Sequence, residues 1–320
     1  MPVLRTIKDV MFQTYCRTRN QHPIWYHLLN RESKKFWLAH KPVISNARYE
    51  EIITSLKRDG IAITDMNSLF PDIPFEELKN FAAQSVASPE IDEQIKIHQT
   101  QILERVQSGG KRKGAKKYLK DFIVEPYGSG VSMVIPDIRN PYIRINLDDR
   151  VLGIAGSYMG LAPKFQGFSL RITLPVPPGA TEYFSQRWHR DPEDRNMLKI
   201  FIYMTDVLDD ISGPFIYVKG SQPGGPMGRV FPQRPPSAMY PELGAVEGVI
   251  PREAITTCFG KAGTIIFADT SGLHKGGYTT SRQRLMYTGT FYSNASLTRH
   301  HLVSHEDTSH LSPLARFALE

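Results

Sequence analysis

The spacing of apolar residues changes character part-way along the chain. Tyr49, Ile52, Ile53 and Leu56 repeat at the 3.6-residue period that puts them on one helical face. Ser45 or Asn46 stands where an N-cap is needed, and Gly60 stands where the helix must stop. Ile61-Ala62-Ile63 then reads as a short strand. Pro74 followed by Glu76 and Glu77 suits the first turn of another helix, where a preset φ and negative charge are both favoured. A third helix is predicted from Pro89, with Ser88 as its cap, Ile91, Ile95, Ile102 and Val106 turned inward, and its end at Ser108-Gly109-Gly110.

From about residue 164 the helical period gives way to short apolar runs separated by Pro and Gly, the texture of an antiparallel sandwich or barrel. Strands are predicted over 165–174, 197–207, 215–218, 263–268 and 284–292. Residues 223–250 are rich in Pro and Gly and lack periodicity; a segment that long is either a lid or binding loop or simple irregular structure. The organisation expected is one domain over 1–320. It has a mostly helical part at 1–160, a β core at 161–295 and a C-terminal tail at 296–320.

Composition narrows the class. The 320 residues are 41% hydrophobic and 22% charged, which describes a globular chain able to bury a sizeable core. No apolar run approaches the roughly 20 residues that span a bilayer. Residues 1–20 intersperse Arg5, Lys8, Asp9, Arg17 and Arg19 among apolar residues, unlike a secretory signal, so the expected location is the cytoplasm. Cys16 and Cys258 lie far apart and outside any paired spacing, which argues against disulfides and thiolate zinc sites. Much of the +7 net charge sits in 109–120, where Lys111, Arg112, Lys113, Lys116, Lys117 and Lys120 crowd together. Aromatic residues do not interleave with them as a nucleic-acid surface requires, so a solvated edge is the preferred reading and no nucleic-acid partner is expected.

The candidate chemistry begins at His189-Arg190-Asp191. In extended chain, residues two apart share a face, so this imidazole and carboxylate can converge on one ion. The spacing alone is weak, since the chain has 10 His and a similar triplet occurs at His305-Glu306-Asp307. The first triplet, however, precedes a strand-rich region in which 263–269 leads to His274, a second imidazole delivered by a strand. Two His and one carboxylate on one face of an octahedral metal leave about three positions open, which suits iron(II) with a chelating 2-oxo acid and dioxygen. Zinc more often takes a closed or four-coordinate site. Arg284, opening the next strand, can offer a planar guanidinium to a carboxylate such as the distal one of 2-oxoglutarate. Arg282 competes, but it sits beside Thr279, Thr280 and Ser281 in a predicted turn.

With these residues in view, the chain resembles the phytanoyl-CoA dioxygenase family. The resemblance lies in Trp188-His189-Arg190-Asp191, Ser212-Gly213-Pro214-Phe215, Val218-Lys219-Gly220-Ser221, His274 and Arg284. It covers 165–292 and, more loosely, 49–64. Lys219 and Gln222 stand where the family commonly has proline and histidine, a departure outside the metal set. The resemblance implies an α+β fold with a mainly β core, a double-stranded β-helix (jelly roll, cupin-like) with the helical region packed outside. It also implies Fe(II), with 2-oxoglutarate and O2 as cosubstrates, and release of succinate. It leaves the substrate open, as a small molecule, because a fold does not fix specificity.

Lys199 interrupts Leu198, Ile200 and Ile202, and alternation puts it with Phe201, Tyr203 and Thr205. If that face lines the barrel, Lys199 can pair with an acidic group of cosubstrate or substrate; otherwise it is a solvated charge. Arg171, Gln186 and Trp188 are further pocket candidates, and the remaining His are read as structural or exposed. Two other functions stay open. One is a non-catalytic β-barrel that binds a metal or ligand, and the other is a metal-dependent isomerase or hydrolase of the same fold, against which Arg284 speaks.

Overall fold

The computed structural model describes residues 2–44, 46–107, 123–128, 134–135, 138–177, 180, 182, 184–233, 240–298, 303–304 and 307–320. Its helices are α1 (Pro2–Gln21), α2 (Arg31–His40), α3 (Ala47–Asp59), α4 (Met66–Leu69), α5 (Phe75–Val86), α6 (Pro89–Gln107), α7 (Pro141–Leu147), α8 (Asp149–Met159), α9 (Ala245–Val249) and α10 (Pro313–Leu319). Its strands are β1 (Ile61–Asp65), β2 (Ile123–Gly128), β3 (Val134–Ile135), β4 (Lys164–Thr173), β5 (Leu198–Tyr203), β6 (Phe215–Val218), β7 (Ile255–Cys258), β8 (Thr264–Ala268), β9 (His274–Gly276), β10 (Arg284–Tyr292) and β11 (Val303–Ser304).

The helix read around Tyr49 is α3, and all four of its apolar positions are buried. Asn46 is the cap, accepting from the Arg48 N–H at 2.8 Å. Gly60 ends it at φ 76°, a left-handed conformation that favours glycine. The same glycine is needed for space, since a Cβ there would lie 2.5 Å from Gln222 Oε1 and collide with the Tyr217 hydroxyl. Gln222 in turn donates to the Arg58 carbonyl at 3.2 Å and so holds the end of α3. The helices expected after Pro74 and Pro89 are α5 and α6, with Ile91 and Ile102 buried. The basic segment 109–120, the Ser108-Gly109-Gly110 stop, Ser45 and the side chain of Val106 lie outside the described residues.

The strands form an antiparallel six-stranded sheet in the order β1-β8-β5-β10-β4-β2 and a smaller antiparallel sheet β7-β6-β9, with β3 and β11 as a separate parallel pair. Period-2 alternation divides the large sheet cleanly. Leu198, Ile200 and Ile202 of β5, with Tyr287 and Phe291 of β10, pack against a helical layer that includes α3, α5, α7, α8 and α10. Phe201, Tyr203 and Met286 turn the other way and share a second apolar cluster with Phe215 and Tyr217 of the small sheet. The large sheet is therefore covered on one face by helices and on the other by β6 and its neighbours.

Three differences from the sequence expectations have local causes. β5 stops at Tyr203 rather than continuing to 207; beyond the Met204 bond to Leu285 the chain leaves β10, and Val207 bonds Gly260 in an isolated bridge. β7 and β9 were not foreseen; β7 carries two threonines and β9 is three residues long, both too little for a periodic signal. Within the segment read as a tail, α10 buries Leu314, Ala315, Ala318 and Leu319 in the main core. No described helix is long and apolar enough to cross a membrane.

Candidate metal centre

His189 and His274 face each other across an isolated antiparallel bridge, each N–H donating to the other's carbonyl at 2.9 Å. Directly opposed residues put their side chains on one face, and the two ring centroids are 4.2 Å apart. Asp191, two residues further on, shares that face and is anchored by its N–H to the Thr270 carbonyl at 2.8 Å. Asp191 Oδ1 lies 3.7 Å from His189 Nε2, and Oδ2 lies 3.8 Å from His274 Nε2. One ligand atom from each residue falls within 4.8 Å of the others, so His189, Asp191 and His274 form a set able to hold a metal ion.

The imidazoles are oriented for ligation. His189 Nδ1 bonds the Arg187 carbonyl at 2.7 Å, and His274 Nδ1 bonds the Gly272 carbonyl at 3.0 Å. A carbonyl only accepts, so each Nδ1 carries the proton and each Nε2 presents its lone pair. Burial, reinforced by the neighbouring His189, pushes the pKa of His274 down to about 3, leaving it neutral near pH 7. Burial also acts to raise the Asp191 carboxyl, but the charges beside it, the hydrogen-bonded Lys199 ammonium foremost, more than offset this and hold the group well below the usual carboxylate range.

Lys199 faces the interior and meets an acidic group, Asp191, with Nζ 2.6 Å from Oδ2. Arg284 is buried at 4% exposure, donating through Nη1 to the Gly213 carbonyl and through Nη2 to Thr173 Oγ1 at 2.9 Å. Its Nε has no hydrogen-bond partner, and among the described residues no carboxylate pairs with it. Gly213 sits at φ 74°, and a Cβ there would approach the Gly277 carbonyl to 3.0 Å; glycine lets this turn present its oxygen to Arg284. Two residues on, the Phe215 ring lies 5.6 Å from that of His274. Arg282, the competing guanidinium, is exposed.

Of the other candidates, Trp188 turns away from the His189 face into a buried apolar cluster with Val246 and Ile250 of the 223–250 segment, donating to Glu247 Oε1 at 2.7 Å. Gln186 is buried, and the Arg171 guanidinium is close enough to help lower the pKa of Arg284, after the larger effect of burial. Sequence reasoning missed Arg190. Alternation turns it away from the ligands, and it donates to the carbonyls of Ser221, Ser271, Met227, Val230 and Phe231. A charged residue between His189 and Asp191 is visible in the sequence, but its burial and its carbonyl partners, remote along the chain, are not.

Fold and site thus define a helix-backed antiparallel β structure with an interior cluster of two histidines and one carboxylate. No protein-family model matches the chain, and no curated protein does. Among solved structures it is similar to the epimerase SnoN in complex with Fe3+, alpha ketoglutarate and nogalamycin RO, at 13% identity and TM-score 0.49 over 77% of this chain and 84% of that one. It is similar to EctD from S. alaskensis at 14% identity and TM-score 0.48, over 86% and 87%. A third is HygX from Streptomyces hygroscopicus with nickel and 2-oxoglutarate bound, at 14% identity and TM-score 0.45, over 79% and 88%.

Proposed function

We propose that this protein is a non-haem Fe(II)- and 2-oxoglutarate-dependent dioxygenase of the phytanoyl-CoA dioxygenase type. In this reading it is a single oxygenase domain on a double-stranded β-helix that hydroxylates a small-molecule metabolite in the cytoplasm. The observation that carries the proposal is the convergence of two imidazoles, of which His274 is held neutral by burial, and one ionised carboxylate on the interior face between the sheets. That donor set fits a divalent first-row metal and leaves about three coordination positions free. The buried Arg284, with an orphaned Nε and no carboxylate partner among the described residues, fits the distal carboxylate of the cosubstrate.

When bound, iron and 2-oxoglutarate supply the oxidising chemistry, with O2 consumed and succinate and CO2 released. The protein's own part is positional. His189, Asp191 and His274 hold the metal, and the Arg187 and Gly272 carbonyls fix the ring orientations. Arg284 sets the direction of the cosubstrate, and the surrounding Phe201 and Phe215 keep water from the reacting centre.

The test is thermal unfolding under anaerobic conditions. Iron(II) and 2-oxoglutarate together should raise the melting temperature, by the equivalent of about 2.7 kcal/mol at a hundredfold excess over Kd. His274→Ala should abolish both that rise and succinate release. Equal stabilisation of wild type and variant by iron would remove the metal assignment.

A further inference from the structure

The ion pair between Lys199 and Asp191 has a consequence for how the carboxylate can ligate. Register places Lys199 on β5 between Thr290 of β10 and Ala268 of β8, two short neighbours on the interior face. Its side chain reaches across that face, and Nζ contacts Asp191 Oδ2 at 2.6 Å, with the two side chains 20% and 14% exposed. Glu193, another nearby acid, pairs instead with Arg17 at 3.4 Å. Asp191 therefore has Oδ1 facing His189 at 3.7 Å, while Oδ2, 3.8 Å from His274 Nε2, is the oxygen engaged by the ammonium group.

We infer that Lys199 is a positioning residue that confines Asp191 to one-oxygen ligation and so keeps a coordination position open at the metal. The inference rests on the metal-centre reading above. The terminal torsion of an aspartate is broad, so an unrestrained carboxylate can swing both oxygens onto an ion. Ligation through Oδ2 as well would compete with a short charge-assisted bond, the strongest kind available to it, and weaken the hold on a largely buried ammonium. The restraint matters because a chelating cosubstrate and dioxygen need all of the roughly three positions that two histidines and a one-oxygen carboxylate leave free.

Manganese(II) serves as the probe, with affinity read by electron paramagnetic resonance and bound water read by water-proton relaxivity per bound ion. Wild-type protein should bind manganese(II) in a way that His274→Ala destroys. If it does not, the metal-centre reading itself fails, independently of Lys199. Lys199→Met should bind the ion at least as tightly, because Asp191 gains a second contact, and should lose about a third of the relaxivity as about one of three waters is displaced. Lys199→Arg, which can still donate to Oδ2, should restore the wild-type relaxivity. Three results would overturn the inference. Tighter binding with unchanged relaxivity in Lys199→Met makes Lys199 a mere competitor for the ion. Weaker binding makes it a structural support. Failure of Lys199→Arg to restore relaxivity removes the hydrogen bond as the cause.

Discussion

Arg282 and Arg284 are the same residue type two positions apart, yet the first is exposed and the second is buried between Gly213 and Thr173. Alternation cannot distinguish them, because residues two apart share a face. What separates them is where strand pairing starts, and the ladder of β10 begins at Arg284, opposite Thr173. The preference for Arg284 was legible only through the Thr-Thr-Ser turn signal that precedes it. In the proposed function, Arg284→Ala leaves the cosubstrate's distal carboxylate unpaired, a loss of about 2–5 kcal/mol. Affinity for 2-oxoglutarate should fall by roughly thirtyfold to several thousandfold, at about tenfold per 1.4 kcal/mol. Arg284→Lys should recover part of it, since the charge returns without the planar fork. Anaerobic titration of the iron(II) protein, followed by its charge-transfer absorption, measures this, and loss in Arg282→Ala instead would move the role.

At the scale of elements, Arg190 joins the metal motif to the chain after β6. Its guanidinium bonds carbonyls at 221, 227, 230, 231 and 271, so the first part of the 223–250 segment is tied down from behind His189 and Asp191. Arg187 adds a bond to the Pro241 carbonyl at 2.8 Å, and Trp188 adds one to Glu247. The segment looked aperiodic in sequence because its order comes from these side-chain donors and short turns rather than from a repeating ladder. Arg190→Met keeps much of the apolar stem but strands several buried carbonyls, each costing about 1–3 kcal/mol if left unsatisfied. Urea unfolding should show a loss of about 3 kcal/mol or more. A loss below about 0.5 kcal/mol, the usual bound for an uninvolved surface site, would mean that water replaces the guanidinium.

For the whole molecule, buried carboxylates shape the dependence of stability on pH. Asp269 is fully buried, accepts from Tyr158 Oη and from Ser271, and is pushed up by burial to about 6 from an ordinary 3.8. A carboxyl raised by folding keeps its proton more readily in the native state than in the unfolded one. Its stabilising contribution is therefore complete below about pH 4 and is lost as pH rises through about 6, a swing of about 3 kcal/mol. Glu193 and Asp194 are raised by burial as well and act in the same direction, whereas Asp191 is lowered and opposes them. Asp269→Asn removes one contribution cleanly. Between pH 4 and pH 7, urea titrations of the metal-free protein should show the stability difference moving by about 3 kcal/mol in favour of the variant. A difference independent of pH would place the Asp269 proton elsewhere.

What is local was legible from the residues alone: the helical face of Tyr49, Ile52, Ile53 and Leu56, the breaks at Gly60 and Pro74, the alternation along β5 and β10, and the shared face of His189 and Asp191. These follow from periods of 3.6 and 2, which need only neighbours along the chain. Tertiary structure alone decided that His274 lies opposite His189, that Lys199 meets Asp191 rather than solvent, and that α10 belongs to the core. Each of those outcomes joins residues that are distant or out of register in sequence. They are set by the summed burial and backbone pairing of whole sheets and layers, which no single stretch of sequence contains.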